Sequence, residues 1–148
     1  MLEGLFVTPA VTAIEEALQS AHVDGRLAVV GNAKLATALA RRPGASPGEP
    51  ARVVAVGLSA RAAKKLPGSL DNLASIDAGE LGAVIGVDAT DESLRDWTRV
   101  VRDGGAIVLV DRGHAPEASR RALCAGLTEI EQRRVGRLVI TSGLVTHL

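Results

Sequence analysis

The sequence is poor in the residues that build cysteine frameworks and aromatic binding platforms. Its 148 residues include one cysteine, one tryptophan, one phenylalanine and no tyrosine. A single cysteine excludes an internal disulfide and a multi-cysteine zinc site, and we expect Cys124 to be a buried thiol. The scarcity of aromatic rings argues against recognition of bases or single-stranded nucleic acid by stacking.

Net charge and long apolar runs are also absent. The 17 basic residues cancel the 17 acidic residues, which argues against binding of nucleic acid or anionic membranes by bulk charge. No segment reaches the roughly 18 consecutive apolar residues of a membrane span, and the N-terminus lacks the cationic start of a signal peptide. No metal-ligand spacing links His22, His114 and His147, so we predict no metal site. We expect a soluble, cytoplasmic protein that contacts neither nucleic acid nor membrane.

What the sequence does contain is enough apolar residue, 47% of the chain, to bury one core. We expect a single domain over 1–148, with an N-terminal helix within 1–22 and an α/β core over 26–146. Apolar runs bounded by turn residues predict five strands and a terminal hairpin. The five strands are Leu27–Val30, Arg52–Val56, Leu73–Ile76, Ala83–Val87 and Ala106–Val110, and the hairpin spans Leu127–Leu144 with its turn at Val135-Gly136.

Helical spacing and capping residues predict the helices between these strands. Thr8 is the expected N-cap of the first helix, with Pro9 at its first helical position. Four more helices are predicted at Lys34–Arg42, Ser59–Leu66, Thr90–Val101 and Pro116–Ala125. This alternation predicts a three-layer α/β sandwich with a mostly parallel, seven-stranded sheet and a C-terminal antiparallel β-hairpin.

Three segments resemble, in their order and spacing, the class I methyltransferases that use S-adenosylmethionine. Gly82–Asp111 is similar to that family's fourth strand, fourth helix and fifth strand, and Arg52–Lys65 is similar to its second strand and helix. Arg121–Val145 resembles its closing helix and β-hairpin. The resemblance implies a Rossmann-like fold and a cofactor pocket whose positions in this chain are Gly31, Asn32, Gly57, Asp77 and Asp88.

Several of these positions depart from the family pattern. Val29 stands where the first strand carries an acid, and a valine cannot receive the ammonium group of the cofactor. Ala33 and Leu35 replace glycines of the following loop. Gly57 stands where an acid accepts both ribose hydroxyls, and each lost hydrogen bond to a charged acceptor costs about 1.5–3 kcal/mol.

The remaining pocket positions offer little chemistry. Asp77-Ala78 resembles the acid-small pair that faces adenine, although no aromatic residue nearby could stack on the base. Asp88 follows the fourth predicted strand, where a substrate base would lie, but it is more typical of a turn or capping carboxylate. We therefore assign no catalytic residue.

Two polar groups outside the pocket have alternative interpretations. Asp111 to His114 follows the fifth predicted strand and forms either a polar site or a solvated loop. Arg133, Arg134 and Arg137 surround the hairpin turn, where they either contact an acidic partner or protect an exposed sheet edge.

The sequence therefore predicts a methyltransferase-like domain that has lost cofactor binding and catalysis. Such a domain would act as a protein-interaction or regulatory module, with a protein partner or as a homodimer, and with no cofactor. The alternative is an active methyltransferase that binds S-adenosylmethionine through backbone contacts and Asp77. A third, weaker alternative is a small anion held by the amides of the Gly31–Lys34 turn.

Overall fold

The protein's structure, a computed structural model, describes residues 4–21, 23, 25–40, 53–57, 61, 64, 69–70, 72–87 and 91–146. The helices with described bounds are α1 (Gly4–Ser20), α2 (Ala33–Ala40), α3 (Asp91–Val100) and α4 (Ala115–Cys124). The strands are β1 (Leu27–Val30), β2 (Val53–Val56), β3 (Leu81–Val87), β4 (Val101–Arg112), β5 (Thr128–Val135) and β6 (Leu138–Leu144). No helix among these residues is long and apolar enough to cross a membrane.

One mixed sheet contains all six of these strands, in the order β2-β1-β3-β4-β6-β5. The first four in this order are mutually parallel, and β6 pairs antiparallel with both β4 and β5. The predicted parallel sheet with a terminal antiparallel hairpin is thus confirmed. Parallel strands need buried faces because their crossover helices cover them, which explains why β3 and the second half of β4 are apolar runs.

Helices cover both faces of the sheet. On one face α1 and α2 pack Ile14, Leu35 and Leu39 against alternate residues of β1, β3 and β4. On the other face α3 packs Leu94 and Trp97 against the remaining alternate residues, and α4 contributes Ala122 to the same cluster. The three layers therefore follow from the period-two alternation of the strands and the helical spacing between them.

The sheet has six described strands instead of the seven predicted. The third predicted strand, at Leu73–Ile76, is wrong. Residues Leu73–Ser75 form a 3-10 helix instead, and the Asn72 side chain accepts a hydrogen bond from the Ala74 amide at its start. The Arg99 guanidinium donates to the carbonyls of Leu73 and Ile76, both at 3.1 Å. These bonds tie the turn to α3, and the spacing of the two buried apolar residues, Leu73 and Ile76, is that of a turn.

The first helix also begins earlier than the sequence predicts. It starts at Gly4 with Pro9 inside it, whereas we expected Thr8 to cap it. An internal proline removes one helical hydrogen bond. The fully buried side chains of Ala10, Ile14 and Leu18 hold the helix against the sheet, and this packing outweighs the local cost.

The contact between Gly86 and Trp97 docks α3 on the sheet. Gly86 lies near the carboxyl end of β3, and a Cβ atom built on it would overlap the Trp97 ring. The tryptophan is 5% exposed. The absence of a side chain at Gly86 therefore makes room for the indole of Trp97 in the core.

We predict that Gly86→Ala destabilises the protein by about 1–3 kcal/mol, the usual cost of overpacking a core. Urea unfolding followed by circular dichroism measures the loss. The double variant Gly86→Ala/Trp97→Leu provides the control, because leucine in place of the indole leaves room for the methyl group of the alanine at position 86. Additive losses in this double-mutant cycle, with coupling under about 0.5 kcal/mol, would contradict the contact.

Candidate functional site

The carboxyl ends of β1, β2 and β3 form one edge of the sheet, called here the carboxyl edge. It includes Gly31, Asn32 and Gly57, which directly follow β1 and β2. Sheets of this type place ligands outside the carboxyl ends of their strands. The structure therefore brings three of the five sequence-predicted pocket positions together at the edge where a ligand is expected.

Backbone conformation explains both glycines at this edge. Gly31 has φ +85° and Gly57 has φ +68°, in the left-handed region that favours glycine. The Gly31 amide donates to the Val56 carbonyl at 2.9 Å, and the Gly57 amide donates to the Leu70 carbonyl at 2.9 Å. Both amides are thus bonded within the protein.

Asn32 caps α2 directly after Gly31, so the connection is too short to wrap around a ligand. Its side-chain oxygen accepts a hydrogen bond from the Leu35 amide at 2.8 Å, and its carbonyl accepts from the Ala36 amide at 3.2 Å. This is the geometry of an asparagine N-cap. The chain passes from β1 into α2 within two residues, and one of the amides that an anion could use at the helix start is already bonded.

Hydrocarbon fills the space beneath this turn. Val29 and Leu35 are both fully buried and belong to the same apolar cluster. Gly57 is exposed and carries no side chain. Among the described residues that end β1 and β2, none carries a carboxylate.

Asp77 lies at the opposite edge of the sheet. It precedes β3, in a turn where its carbonyl accepts a hydrogen bond from the Glu80 amide at 3.2 Å. Since β3 is parallel to β1 and β2, residues just before it lie beside the amino ends of those strands. The structure therefore does not bring Asp77 together with Gly31 and Gly57. Asp88, the fifth predicted position, lies outside the described residues.

Leu70 is a residue of this edge that the sequence analysis missed. It forms a one-residue parallel bridge with Val56, and its amide donates to the Ala55 carbonyl at 2.8 Å. Leu70 is thus the residue that pairs with β2 on the side away from β1. The acid that follows it in the sequence is Asp71, which is itself outside the described residues. The sequence signal for this short pairing was an apolar residue, Leu70, followed directly by the turn-forming residues Asp71 and Asn72.

Polar residues at the end of β4 and on α4 form a network of charges. Asp111 and Arg121 are 3.5 Å apart, and the Arg120 guanidinium donates to the Glu117 carboxylate at 2.6 Å. That hydrogen bond from Arg120 is the main cause that lowers the pKa of Glu117 from its usual value. His114 is exposed and caps α4 through its left-handed backbone, without a side-chain hydrogen bond. Asp111 thus pairs with a side chain of α4, and Glu117 pairs with the neighbouring arginines, which favours a structural role for these charges over a ligand site.

Cys124 is exposed, so the predicted buried thiol is wrong. It lies on the solvent side of α4, whose buried side is formed by Ala118 and Ala122. The described part of the chain contains no group of three or more histidine, cysteine, aspartate or glutamate side chains able to hold a metal ion.

A cleft of about 460 Å³ lies away from the carboxyl edge, between α1 and the β5–β6 hairpin. Alanines and Gly143 form much of its wall, and the side chains of Ser20 and Glu131 reach it. Because it opens at the amino end of the parallel strands, beside Ala106, it is separate from the predicted pocket.

The described residues of the carboxyl edge do not fit S-adenosylmethionine. The cofactor presents an ammonium group and a ribose diol, both of which need acceptors. Val29 and Gly57 offer neither charge nor side-chain oxygen, and the Asn32 side-chain oxygen is engaged by the Leu35 amide. We therefore derive no reaction step through this cofactor.

We predict that Asn32→Ala lowers the free energy of unfolding by about 1 kcal/mol, because the helix loses its N-cap. Asn32→Asp is the matched control, since aspartate caps as well as asparagine and places a negative charge at a helix N-terminus. Urea denaturation measures both variants. Equal losses for alanine and aspartate would contradict the capping role.

The fold of this chain matches known structures, although its sequence matches no known family. No protein-family model matches the chain, and no curated protein shows a significant sequence match. Solved structures do match. A Thermotoga maritima SAM-dependent methyltransferase is 13% identical with a TM-score of 0.67, over 96% of this chain and 92% of that one. A Haloferax volcanii protein in complex with the Trm112 methyltransferase activator is 15% identical, with a TM-score of 0.69 over 97% and 93%.

A ribosomal protein L11 methylase from Lactobacillus delbrueckii subsp. bulgaricus is similar to the same extent. It is 17% identical with a TM-score of 0.68, and the match covers 99% of this chain and 81% of that one. At these identities the likeness concerns the fold. The chain has the Rossmann-like fold of the class I S-adenosylmethionine-dependent methyltransferases.

Proposed function

We propose that this chain is a methyltransferase-like domain that has lost S-adenosylmethionine binding and catalysis. In this proposal it acts in the cytoplasm as a protein-interaction or regulatory module, with a protein partner or a second copy of itself. Fold alone does not decide function, so the proposal depends on the residues at the carboxyl edge.

The carrying observation is the chemistry at the ends of β1 and β2. Gly57 has no side chain where two hydroxyls need an acceptor, and the fully buried Val29 offers only hydrocarbon. Losing two hydrogen bonds of about 1.5–3 kcal/mol each weakens binding by on the order of a hundredfold or more. The Asn32 cap removes one further donor from the helix start.

Support for a protein partner comes from two sources. The similar Haloferax volcanii protein is in complex with a methyltransferase activator, so this fold is compatible with a partner protein. At the carboxyl edge, the described residues that end β1 and β2 carry no side-chain acceptor for the ammonium group or the ribose of the cofactor, which favours recognition through the surface of the domain.

The rival function is an active methyltransferase with an atypical cofactor site. Its support is the SAM-dependent activity stated for the similar Thermotoga maritima protein. The acid that the sequence analysis assigned to this rival is Asp77, which precedes β3 and therefore lies at the opposite edge of the sheet.

Calorimetric titration with S-adenosylmethionine and S-adenosylhomocysteine separates the two functions. We expect no binding tighter than about 100 µM, a free energy of roughly 5.5 kcal/mol, because the described residues that end β1 and β2 offer no acceptor to the ammonium group or the ribose diol. Tighter, saturable binding would refute the proposal.

One variant then tests any binding that is found. Asp77→Ala removes the exposed carboxylate that the sequence analysis assigned to the adenine. Saturable binding that is lost in Asp77→Ala would support the rival directly, whereas binding that this variant keeps would show that the ligand does not use Asp77. The outcome of this titration does not depend on the oligomeric state of the protein.

A further inference from the structure

The terminal strand β5 presents an unpaired edge. It pairs with β6 on one side, and no strand among the described residues pairs with its other side. Its sequence, TEIEQRRV, is mostly exposed. An exposed strand edge is a template for pairing with another chain, and proteins usually blunt it with charge or a bulge.

The hairpin turn determines which backbone groups face this edge. A two-residue turn, Gly136-Arg137, joins the paired residues Val135 and Leu138. In such a turn the flanking residues exchange both of their backbone hydrogen bonds, and the direction alternates along the strand. The N–H and C=O groups of Gln132 and Arg134 therefore point outward, away from β6.

A bulge limits the regular part of the edge. The β5–β6 register shifts between Thr128 and Glu131, and Glu129 has φ +49° in the left-handed region. Bulges break the ladder locally and increase its twist. The regular outward edge is therefore Glu131–Val135.

The charges on this edge are ordered so that it complements itself. Glu131 and Arg133 flank Gln132, so antiparallel pairing of two copies about Gln132 places each Glu131 opposite Arg133 of the second copy. The outward N–H and C=O groups of one copy can bond only to the outward groups of the other. The register between the two copies can therefore change only in steps of two residues. The neighbouring allowed registers bring Glu131 opposite Glu131 or Arg133 opposite Arg133, and like charges directly opposite each other are destabilising.

Arg133 is already held by ion pairs within its own chain. Its guanidinium donates to the Glu16 carboxylate at 2.8 Å and lies 3.6 Å from the Glu131 carboxylate of its own strand. Its side chain is 30% exposed, whereas that of Glu131 is 58% exposed. A fixed cation beside an open anion reduces the entropy lost when the pair forms across two copies.

An exposed apolar side chain lies on the same flank of the molecule. Leu123 of α4 is 65% exposed. Arg121 of the same helix reaches Asp111 on β4, and helical geometry of about 100° per residue turns Leu123 towards the opposite flank, on the side of β5. Self-association through β5 would bring this leucine near the second copy.

We propose that two copies of this chain pair through β5, antiparallel and centred on Gln132, to extend one sheet across both. The inference rests on the proposed function in that it names the partner of the interaction module. It does not require that cofactor binding is lost.

Sedimentation equilibrium over a range of concentrations tests the pairing with charge-reversal variants. We expect wild type to approach twice the 15.2 kDa chain mass. Glu131→Arg or Arg133→Glu alone places like charges opposite each other, so the dimer dissociation constant should rise at least about tenfold. A mixture of the two variants restores opposite charges in both pairs, so it should dimerise again. Arg134→Glu is the control of equal charge change, because Arg134 is not opposite a charge in this register.

Disulfide crosslinking checks the register in a Cys124→Ser background. Oxidised glutathione should crosslink Gln132→Cys, because directly opposed residues of an antiparallel pair lie about 5.5 Å apart. Arg134→Cys should not crosslink, since those residues lie about 13 Å apart in this register. Circular dichroism confirms that each variant is folded, which matters for Arg133 because of its contact with Glu16.

A wild-type protein that stays monomeric at millimolar concentration would overturn the inference. So would a dimer that survives both charge reversals, or a mixture that fails to recover it, because either result places the interface elsewhere. None of these results would restore cofactor binding, and a monomer that captures a different protein would still satisfy the proposed function.

Discussion

The two-residue connection between β1 and α2 determines the character of the carboxyl edge. Gly31 turns the chain through a left-handed conformation, Asn32 caps α2, and Leu35 enters the core one turn later. A longer glycine loop would leave space and unpaired amides at the helix start. Here the connection uses one of those amides internally, and the space holds a leucine that also packs α2 onto the sheet. The same interaction therefore stabilises the fold and removes a cradle for a ligand.

Much of the architecture could be predicted because its signals are local. The run Leu27–Val30 was predicted with the bounds that the structure has, since an uninterrupted apolar strand flanked by turn residues has few other uses. The hairpin was predicted for similar reasons, with Gly136 at its turn. The prediction of the third strand was wrong because a buried leucine and isoleucine three residues apart suit a helical turn as well as a strand. The hydrogen bonds that the distant Arg99 donates to this turn cannot be read from the local pattern.

The candidate site was harder to predict than the fold. Gly31, Asn32 and Gly57 were assigned to one edge because parallel strands end together, and the structure brings them together. Asp77 was assigned by counting from a strand that does not exist, so it was expected at the wrong edge. The exposure of Cys124 also escaped prediction, because residue preference describes an average and the buried side of α4 is set by Ala118 and Ala122. Local pattern thus located the edge, while long-range packing decided which side chains reach it.

The place of Trp97 against Gly86 has an optical consequence. The chain contains one tryptophan and no tyrosine, so its near-ultraviolet emission originates almost wholly from this buried indole. The ring lies between α3 and the end of β3, next to the edge where a ligand of this fold would sit. The emission wavelength and the quenching of this one tryptophan therefore report on how α3 packs against β3, and no label has to be attached.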